Sequence, residues 1–250
     1  SGNVEVSATV ENVEKSYVDE NGETVDGKLY YGSAEFEDGK LTLSNFLPKD
    51  TVKFNIKVVN NSTVTVKYRT VISVVEDNGL FSSLDITLDG KKFYGYTSGS
   101  KYATLNPDED KLIANVPVVI TLPEDATCNN TSCTLSYTVE AVQGNVAVED
   151  FPEVPEDTIA VNTTKDVELL ADRINGSNAE LTSDVKITNA PDTLKDRLMI
   201  TEPTTLQLNA KIITPDNMGN NDNNFVALVV RADTTINAGF NGGIDTGVNG

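Results

Sequence analysis

The residues of this 250-residue chain that could do chemistry are two cysteines and many carboxylates, because the chain contains no histidine. Without an imidazole the sequence excludes HExxH zinc sites, Ser-His-Asp triads and Cys-His pairs. Two carboxylates can still hydrolyse a glycosidic bond, but among the 38 Asp and Glu residues no pair stands out. We therefore expect a protein that is not an enzyme, with a hydrolase or a peptidase as the less favoured alternative.

Both cysteines lie in the segment ATCNNTSCT, where Cys128 and Cys133 flank a four-residue polar turn. The turn separates VPVVITLP from TLSYTVEAV, which have the alternation of paired strands, so we expect a disulfide at the mouth of a hairpin. Such a bond indicates an oxidising compartment, and a loop this short makes it worth roughly 2 kcal/mol. A metal site is the alternative, although two thiols without histidine form an incomplete ligand set.

Two further segments are rich in the oxygen ligands that Ca²⁺ prefers, NPDEDK at 106–111 and TPDNMGNNDNN at 214–224. Neither follows the EF-hand pattern, so solvated turns are the competing interpretation, and no cofactor is predicted beyond this Ca²⁺ option. Formal glycosylation acceptors are present but carry little weight in an Asn- and Thr-rich chain. They are Asn60, Asn61, Asn129, Asn130 and Asn162.

Aromatic residues gather in two turn-rich zones, where they could stack on a sugar ring. Packing in the core or at its rim is the alternative interpretation for each of them. These residues are Tyr30, Tyr31, Phe93, Tyr94, Tyr96 and Tyr102.

The chain is strongly acidic, with 19 Lys and Arg against 38 Asp and Glu and a formal charge of −19. Such a surface repels phosphate backbones and anionic lipid, so we predict no nucleic-acid partner. No apolar run is long enough to cross a bilayer, and we expect no membrane insertion. The opening SGNVEVSATV lacks a basic and apolar leader, as in a mature secreted chain or one that never had a signal peptide. Cations and neutral polymers remain as partners.

The elements that would position these residues are strands, because a period of two dominates the first 145 residues. The segment TVKFNIKVV places apolar residues on one face and polar residues on the other, and VTVKYRTVISV continues the pattern. Turn sequences such as Asp38-Gly39 and Asp89-Gly90 separate the strands. This spacing predicts an antiparallel β-sandwich over residues 1–148.

The composition changes at EDFPEVPEDT, residues 149–158, where two prolines and five acids predict a stiff, self-repelling linker. A helix follows at 164–174, with Thr163 or Thr164 as its cap and Gly176 as its end. Short apolar stretches then recur between polar turns, which predicts parallel coils of a partial β-helix over 159–250. Since an open coil needs a cover, we expect either a longer natural protein or pairing of this end with another chain.

Several segments resemble the TasA/camelysin-type proteins. SGNVEVSATV resembles the start of their mature chains, and LSYTVEAVQGN resembles the end of their domain. LTLSNFLPKDTVKFNIKVVNNSTVTVKYRTVIS resembles their strand, Leu-x-Pro-Gly-Asp turn, strand, Asn-x-Ser/Gly, strand block. The resemblance spans residues 1–146, and Lys49 stands where the family has glycine.

This resemblance implies a secreted surface or biofilm-matrix protein of a Gram-positive bacterium with a jelly-roll-like sandwich. Some relatives form fibres by lending an N-terminal strand to the next subunit, which makes NVEVSATV the candidate donor strand here. The family also carries a metallopeptidase designation, which conflicts with a chain that has no histidine.

The second half resembles the start of a pectate-lyase-type right-handed β-helix. TTLQLNAKIITPD is similar to the recurring coil TLDLNGKTIT, with Ala210 in place of glycine, and FVALVVRADTTINAGFNGGIDTG is similar to the next coil. The helix at 164–174 would be its N-terminal cap. Lyase activity does not carry over, because no cluster of Asp with a catalytic Arg is present.

The sequence thus predicts a two-domain all-β protein, secreted to the cell surface or extracellular matrix, with a structural or adhesive role. Self-assembly through the first strand is the expected partner interaction, with a cell-surface or glycan ligand as a further option. A carbohydrate-binding adhesin is the alternative function.

Overall fold

The computed structural model describes residues 2–93, 95–108, 113–126, 128–161, 167–186, 198–214 and 228–246. They belong to two compact units, Ser1–Val154 and Pro155–Gly250. The protein is an all-β fold, as the alternation of its sequence predicts. The boundary between the units lies inside the segment 149–158.

The strands of the first unit are β1 Val6–Val18, β2 Thr24–Asp26, β3 Ser33–Glu37, β4 Lys40–Ser44, β5 Thr51–Asn60, β6 Val66–Asn78, β7 Asp85–Leu88, β8 Lys91–Lys92, β9 Thr97–Gly99, β10 Ala103–Leu105, β11 Ile113–Thr121 and β12 Ser132–Gln143, with a 3₁₀ turn at Phe81–Ser83. The second unit contains β13 Ile159–Val161, helix α1 Val167–Ile174, β14 Asn178–Leu181, β15 Val185–Lys186, β16 Leu198–Ile200, β17 Thr204–Leu208, β18 Lys211–Ile213, β19 Leu228–Val230, β20 Thr234–Ala238 and β21 Gly243–Asp245.

The first unit is a sandwich of two antiparallel sheets. One sheet has the order β2-β1-β5-β11-β7-β8, and the other has the order β10-β6-β12-β4-β3 with β9 added against β6. The predicted alternation decides which side chains face inward, since every second residue is buried in β5 and in β6 from Val66 to Val74. The buried side chains of both sheets form a single hydrophobic core.

Two hairpins have the turns that their Asp-Gly sequences predict. Asp38 and Gly39 have φ of 50° and 75° between β3 and β4, and Asp89 and Gly90 have φ of 54° and 75° between β7 and β8. Positive φ at both central residues gives the turn a twist that matches the twist of the paired strands. These short turns fix the register of both hairpins.

The predicted hairpin of VPVVITLP with TLSYTVEAV is wrong. Strand β11 pairs with β5 and β7, whereas β12 pairs with β4 and β6, so the segment between them crosses from one sheet to the other. Both strands alternate because each buries one face in the same core. Alternation alone does not say which sheet a strand joins.

Residues 149–153 lie against the sandwich, so the expected self-repelling linker does not form over these residues. The Arg69 guanidinium carbon lies 4.1 Å from the centre of the Phe151 ring, and Lys91 Nζ donates a 3.0 Å hydrogen bond to the Phe151 carbonyl. Lys101 forms a 3.1 Å ion pair with Glu153. Cations of the sandwich thus offset the repulsion among the acidic residues that the composition predicts.

The second unit is built from parallel coils. Its strands pair in parallel in the orders β13-β14-β17-β20, β15-β18-β21 and β16-β19, so each turn of the chain lies on the previous one. Helix α1 packs Leu170 and Ile174 into the core of this unit. It ends at Ile174, and Gly176, with a φ of 71°, turns the chain away just after it. Thr163 and Thr164, the predicted caps, lie outside the described residues.

The turn of residues 47–50 has a left-handed backbone at Lys49, the position where the TasA/camelysin-type pattern that the sequence resembles has glycine. Lys49 has a φ of 73°, and its N–H donates a 2.7 Å hydrogen bond to the Leu122 carbonyl. The buried Asp50 carboxylate accepts a 2.8 Å hydrogen bond from the Leu47 N–H, which closes the turn. The turn is therefore held in place despite the strain at residue 49.

Substituting Lys49→Gly should raise the free energy of unfolding by up to about 1 kcal/mol, because glycine adopts this φ without a Cβ clash. Urea denaturation of the full chain measures the change. Lys49→Ala is the control, since it also removes the exposed ion pair with Glu124 but keeps the Cβ. Equal stability of the two variants would contradict the strain.

Candidate functional site

The candidate site is the outer edge of strand β1, on the side away from β5. It consists of the backbone of residues 6–14 and is called here the β1 edge. Strand β1 pairs with β5 from Val6 opposite Asn60 to Ser16 opposite Thr51. Strand β2 covers only Ser16–Val18 on the other side. Among the described residues no strand pairs with the β1 edge, and unpaired strand edges are templates for β-strand addition.

Strand β1 contributes little to the hydrophobic core. It is 13 residues long, yet none of its side chains is fully buried. Val58 and Ile56, which lie opposite Ala8 and Val10 on β5, are completely buried. Releasing β1 would therefore cost mainly backbone hydrogen bonds and the partial burial of a few side chains, rather than the burial that holds a core strand.

A β-bulge divides the β1 edge. The pairing with β5 shifts between Glu11 and Glu14, and Asn12 adopts a φ of 55°. Bulges and charges are the means by which proteins protect exposed edges from uncontrolled pairing. The regular part of the edge is thus confined to residues 6–11.

Polar contacts hold the segment before β1 on its own chain. The Ser62 hydroxyl accepts a 2.6 Å hydrogen bond from the Glu5 N–H and donates a 3.1 Å bond to the Glu5 carbonyl. Gln143 Nε2 donates a 2.8 Å bond to the Gly2 carbonyl. The predicted donor strand therefore lies in its own sheet here, held by bonds worth about 1 kcal/mol each.

The predicted disulfide is absent from the structure, in which Cys128 and Cys133 are free thiols. Cys133 is buried in β12 opposite Leu43 and Asp77, and Cys128 is half-buried in the crossing segment. The hairpin mouth that suggested the bond does not exist, because β11 and β12 lie in different sheets. Burial raises the pKa of the Cys133 thiol well above its usual range, and the Asp77 carboxylate adds to the rise.

The predicted Ca²⁺ segments are described only in small part, since 109–112 and 215–227 lie outside the described residues. Within the part of the chain that the structure describes, no three Cys, Asp or Glu side chains are grouped to hold a metal ion.

The described helices include none with the length and hydropathy to cross a bilayer.

The glycosylation acceptors differ in their surroundings. Asn60 is buried, and its Nδ2 donates to the carbonyls of Val64 and Leu105, so its amide is already engaged. Asn129 and Asn130 are exposed. Asn162 lies outside the described residues.

The aromatic residues fall into different environments. Phe93 is buried against Phe81, and Tyr102 lies under Arg69, so both have structural roles. Tyr94 lies outside the described residues. Tyr30 and Tyr31 remain exposed and contact each other, and Tyr30 also contacts Tyr17 of β1. Sequence reasoning missed Tyr17 because it lies in a strand apart from the other two along the chain.

No protein-family model matches the chain, and no curated protein sequence matches it. Among solved structures, the crystal structure of the Agl-KA catalytic domain aligns with 79% of this chain and 41% of its own length, at 10% identity and a TM-score of 0.18. The chain thus spans well under half of that domain, and a similarity at this level carries no argument about fold or activity.

Titration of the native chain with a disulfide reagent at pH 8, without prior reduction, should detect Cys128 alone, because burial and a raised pKa keep Cys133 unreactive. Unfolding in guanidinium should then reveal two thiols. A Cys128→Ser variant is the control and should show no thiol until it unfolds. Absence of thiols in the unreduced, unfolded chain would contradict the structure and restore the disulfide.

Proposed function

We propose that this chain is a secreted structural or adhesive protein of the cell surface or extracellular matrix that assembles with copies of itself by exchanging β1. The observation that carries the proposal is a 13-residue strand with no fully buried side chain and an outer edge unpaired over residues 6–14 among the described residues. The secreted location and the Gram-positive source rest on the resemblance of residues 1–146 to TasA/camelysin-type proteins.

Exchange is energetically reasonable because a β1 from a neighbouring copy can form the same contacts that the chain's own β1 forms. Val6 would again lie opposite Asn60 and Val10 opposite Ile56, so the lost pairing is fully restored. The contact is heterologous, since each copy gives a strand and receives one from another copy. Repetition of such a contact produces open fibres unless the rotation closes a ring.

The charge of the chain sets the conditions for assembly. Copies that each carry a formal charge of −19 repel one another, and dissolved salt screens that repulsion. Assembly is therefore expected to strengthen between low and physiological ionic strength.

A covalent lock between β1 and β5 tests the proposal. Thr9 and Lys57 lie directly opposite each other, and neither is buried, so Thr9→Cys with Lys57→Cys should form a disulfide. The native cysteines are replaced by Cys128→Ser and Cys133→Ala. We expect the oxidised chain to stay monomeric and the reduced chain to assemble, as measured by light scattering and negative-stain microscopy.

The matched control joins β5 to its other neighbour. Lys57→Cys with Asn115→Cys links the same residue of β5 to β11 and leaves β1 free, so its oxidation should not affect assembly. Assembly of the oxidised Thr9–Lys57 variant would overturn strand exchange. An unmodified chain that stays monomeric at all protein and salt concentrations would overturn self-assembly itself.

A further inference from the structure

Three tyrosines form a continuous aromatic surface on the first unit, called here the tyrosine platform. The ring centre of Tyr30 lies 5.3 Å from that of Tyr17 and 4.4 Å from that of Tyr31. Tyr30 is 54% exposed and Tyr31 is 73% exposed. Tyr30 and Tyr31 pack edge to face, and rings that still present this much surface to solvent are available to a ligand.

The loop that carries the platform is fixed at both ends. The Gly27 N–H donates a 2.8 Å hydrogen bond to the Lys15 carbonyl of β1. Leu29 is buried in the core, and Gly32 packs so closely that a Cβ there would lie 2.7 Å from the Ser44 carbonyl oxygen. Because the loop is ordered before any ligand arrives, binding on the platform would cost little conformational entropy.

A cleft of about 520 Å³, within the range of small-molecule sites, is lined by residues of the same two chain segments that carry the platform. Its lining includes Ser16, which precedes Tyr17, and Asp26 and Gly27, where β2 ends and the loop begins. Lys15 and Lys53 also line it, so the cleft offers hydrogen-bond donors and acceptors of its own.

The Tyr30 and Tyr31 side chains are hydrogen-bonded to each other, and this bond raises the pKa of Tyr30. Tyr30 is a neutral phenol at pH 7, since its pKa lies above the ordinary tyrosine value of about 10. Tyr30 thus contributes an uncharged ring with a polar end to the platform, rather than an additional negative charge.

This combination favours one class of ligand. A sugar ring offers C–H groups that pack on an aromatic face and hydroxyls that bond to polar side chains. The charge of −19 disfavours nucleic acids and anionic polymers. Three tyrosines are too few to anchor a stable protein interface, which buries more than about 1,000 Å².

We infer that the tyrosine platform and its cleft bind an uncharged polysaccharide chain. This site goes beyond the proposed function and does not depend on assembly.

Isothermal titration calorimetry with cellohexaose, chitohexaose and xylohexaose tests this inference, on the unmodified chain and on the locked monomer. At least one probe should bind both forms with a dissociation constant on the order of 1 mM or lower. Tyr31→Ala should weaken that binding at least tenfold, and Tyr31→Phe should keep most of it because the ring remains. Tyr96→Ala is the control, since Tyr96 is 46% exposed and lies outside the platform.

Failure of all three probes at millimolar concentration would overturn the inference, as would equal losses from Tyr31→Ala and Tyr96→Ala. A Tyr31→Ala variant that loses self-association but keeps glycan affinity would also overturn it and assign the platform to protein contacts. Because the locked monomer cannot exchange β1, its glycan binding is independent of the outcome for assembly.

Discussion

The first unit depends on the burial of alternate side chains from its two sheets, and this burial is unequal between neighbouring strands. Val52, Ile56 and Val58 of β5 are completely buried, whereas β1 beside it buries no side chain fully. The sheet therefore continues beyond the region that the opposite sheet covers. Strand β1 is held there mainly by hydrogen bonds, so its release costs less free energy than the release of a core strand such as β5.

The two proposed activities use different parts of β1. Residues 6–11 form the regular ladder that a copy could replace, and the bulge between Glu11 and Glu14 ends it. Tyr17 lies beyond the bulge, in the portion that β2 covers. An exchange that stops at the bulge would leave the tyrosine platform on its own chain, so assembly and ligand binding can coexist.

Local patterns predicted the local features of this protein. The buried face of β5 follows from the alternation of TVKFNIKVV, the two tight hairpins follow from Asp-Gly, and the end of α1 follows from Gly176. Contacts between distant segments were not predictable. The segment that contains Cys128 crosses from one sheet to the other, and Phe151 packs under Arg69. Both features depend on the topology of the strands. So does the meeting of Tyr17 with Tyr30, because a sequence pattern contains no information about which surface lies beside it.

Hydrogen exchange in the native chain tests the central claim most directly, because it measures the free energy at which each strand opens. The account predicts that amides of residues 6–11 bonded to β5 exchange at least tenfold faster than amides of β5 bonded to β11. That result would mean that β1 opens while the core stays folded. Equal protection of the two sets would show that β1 opens only when the whole unit unfolds, and would contradict the account.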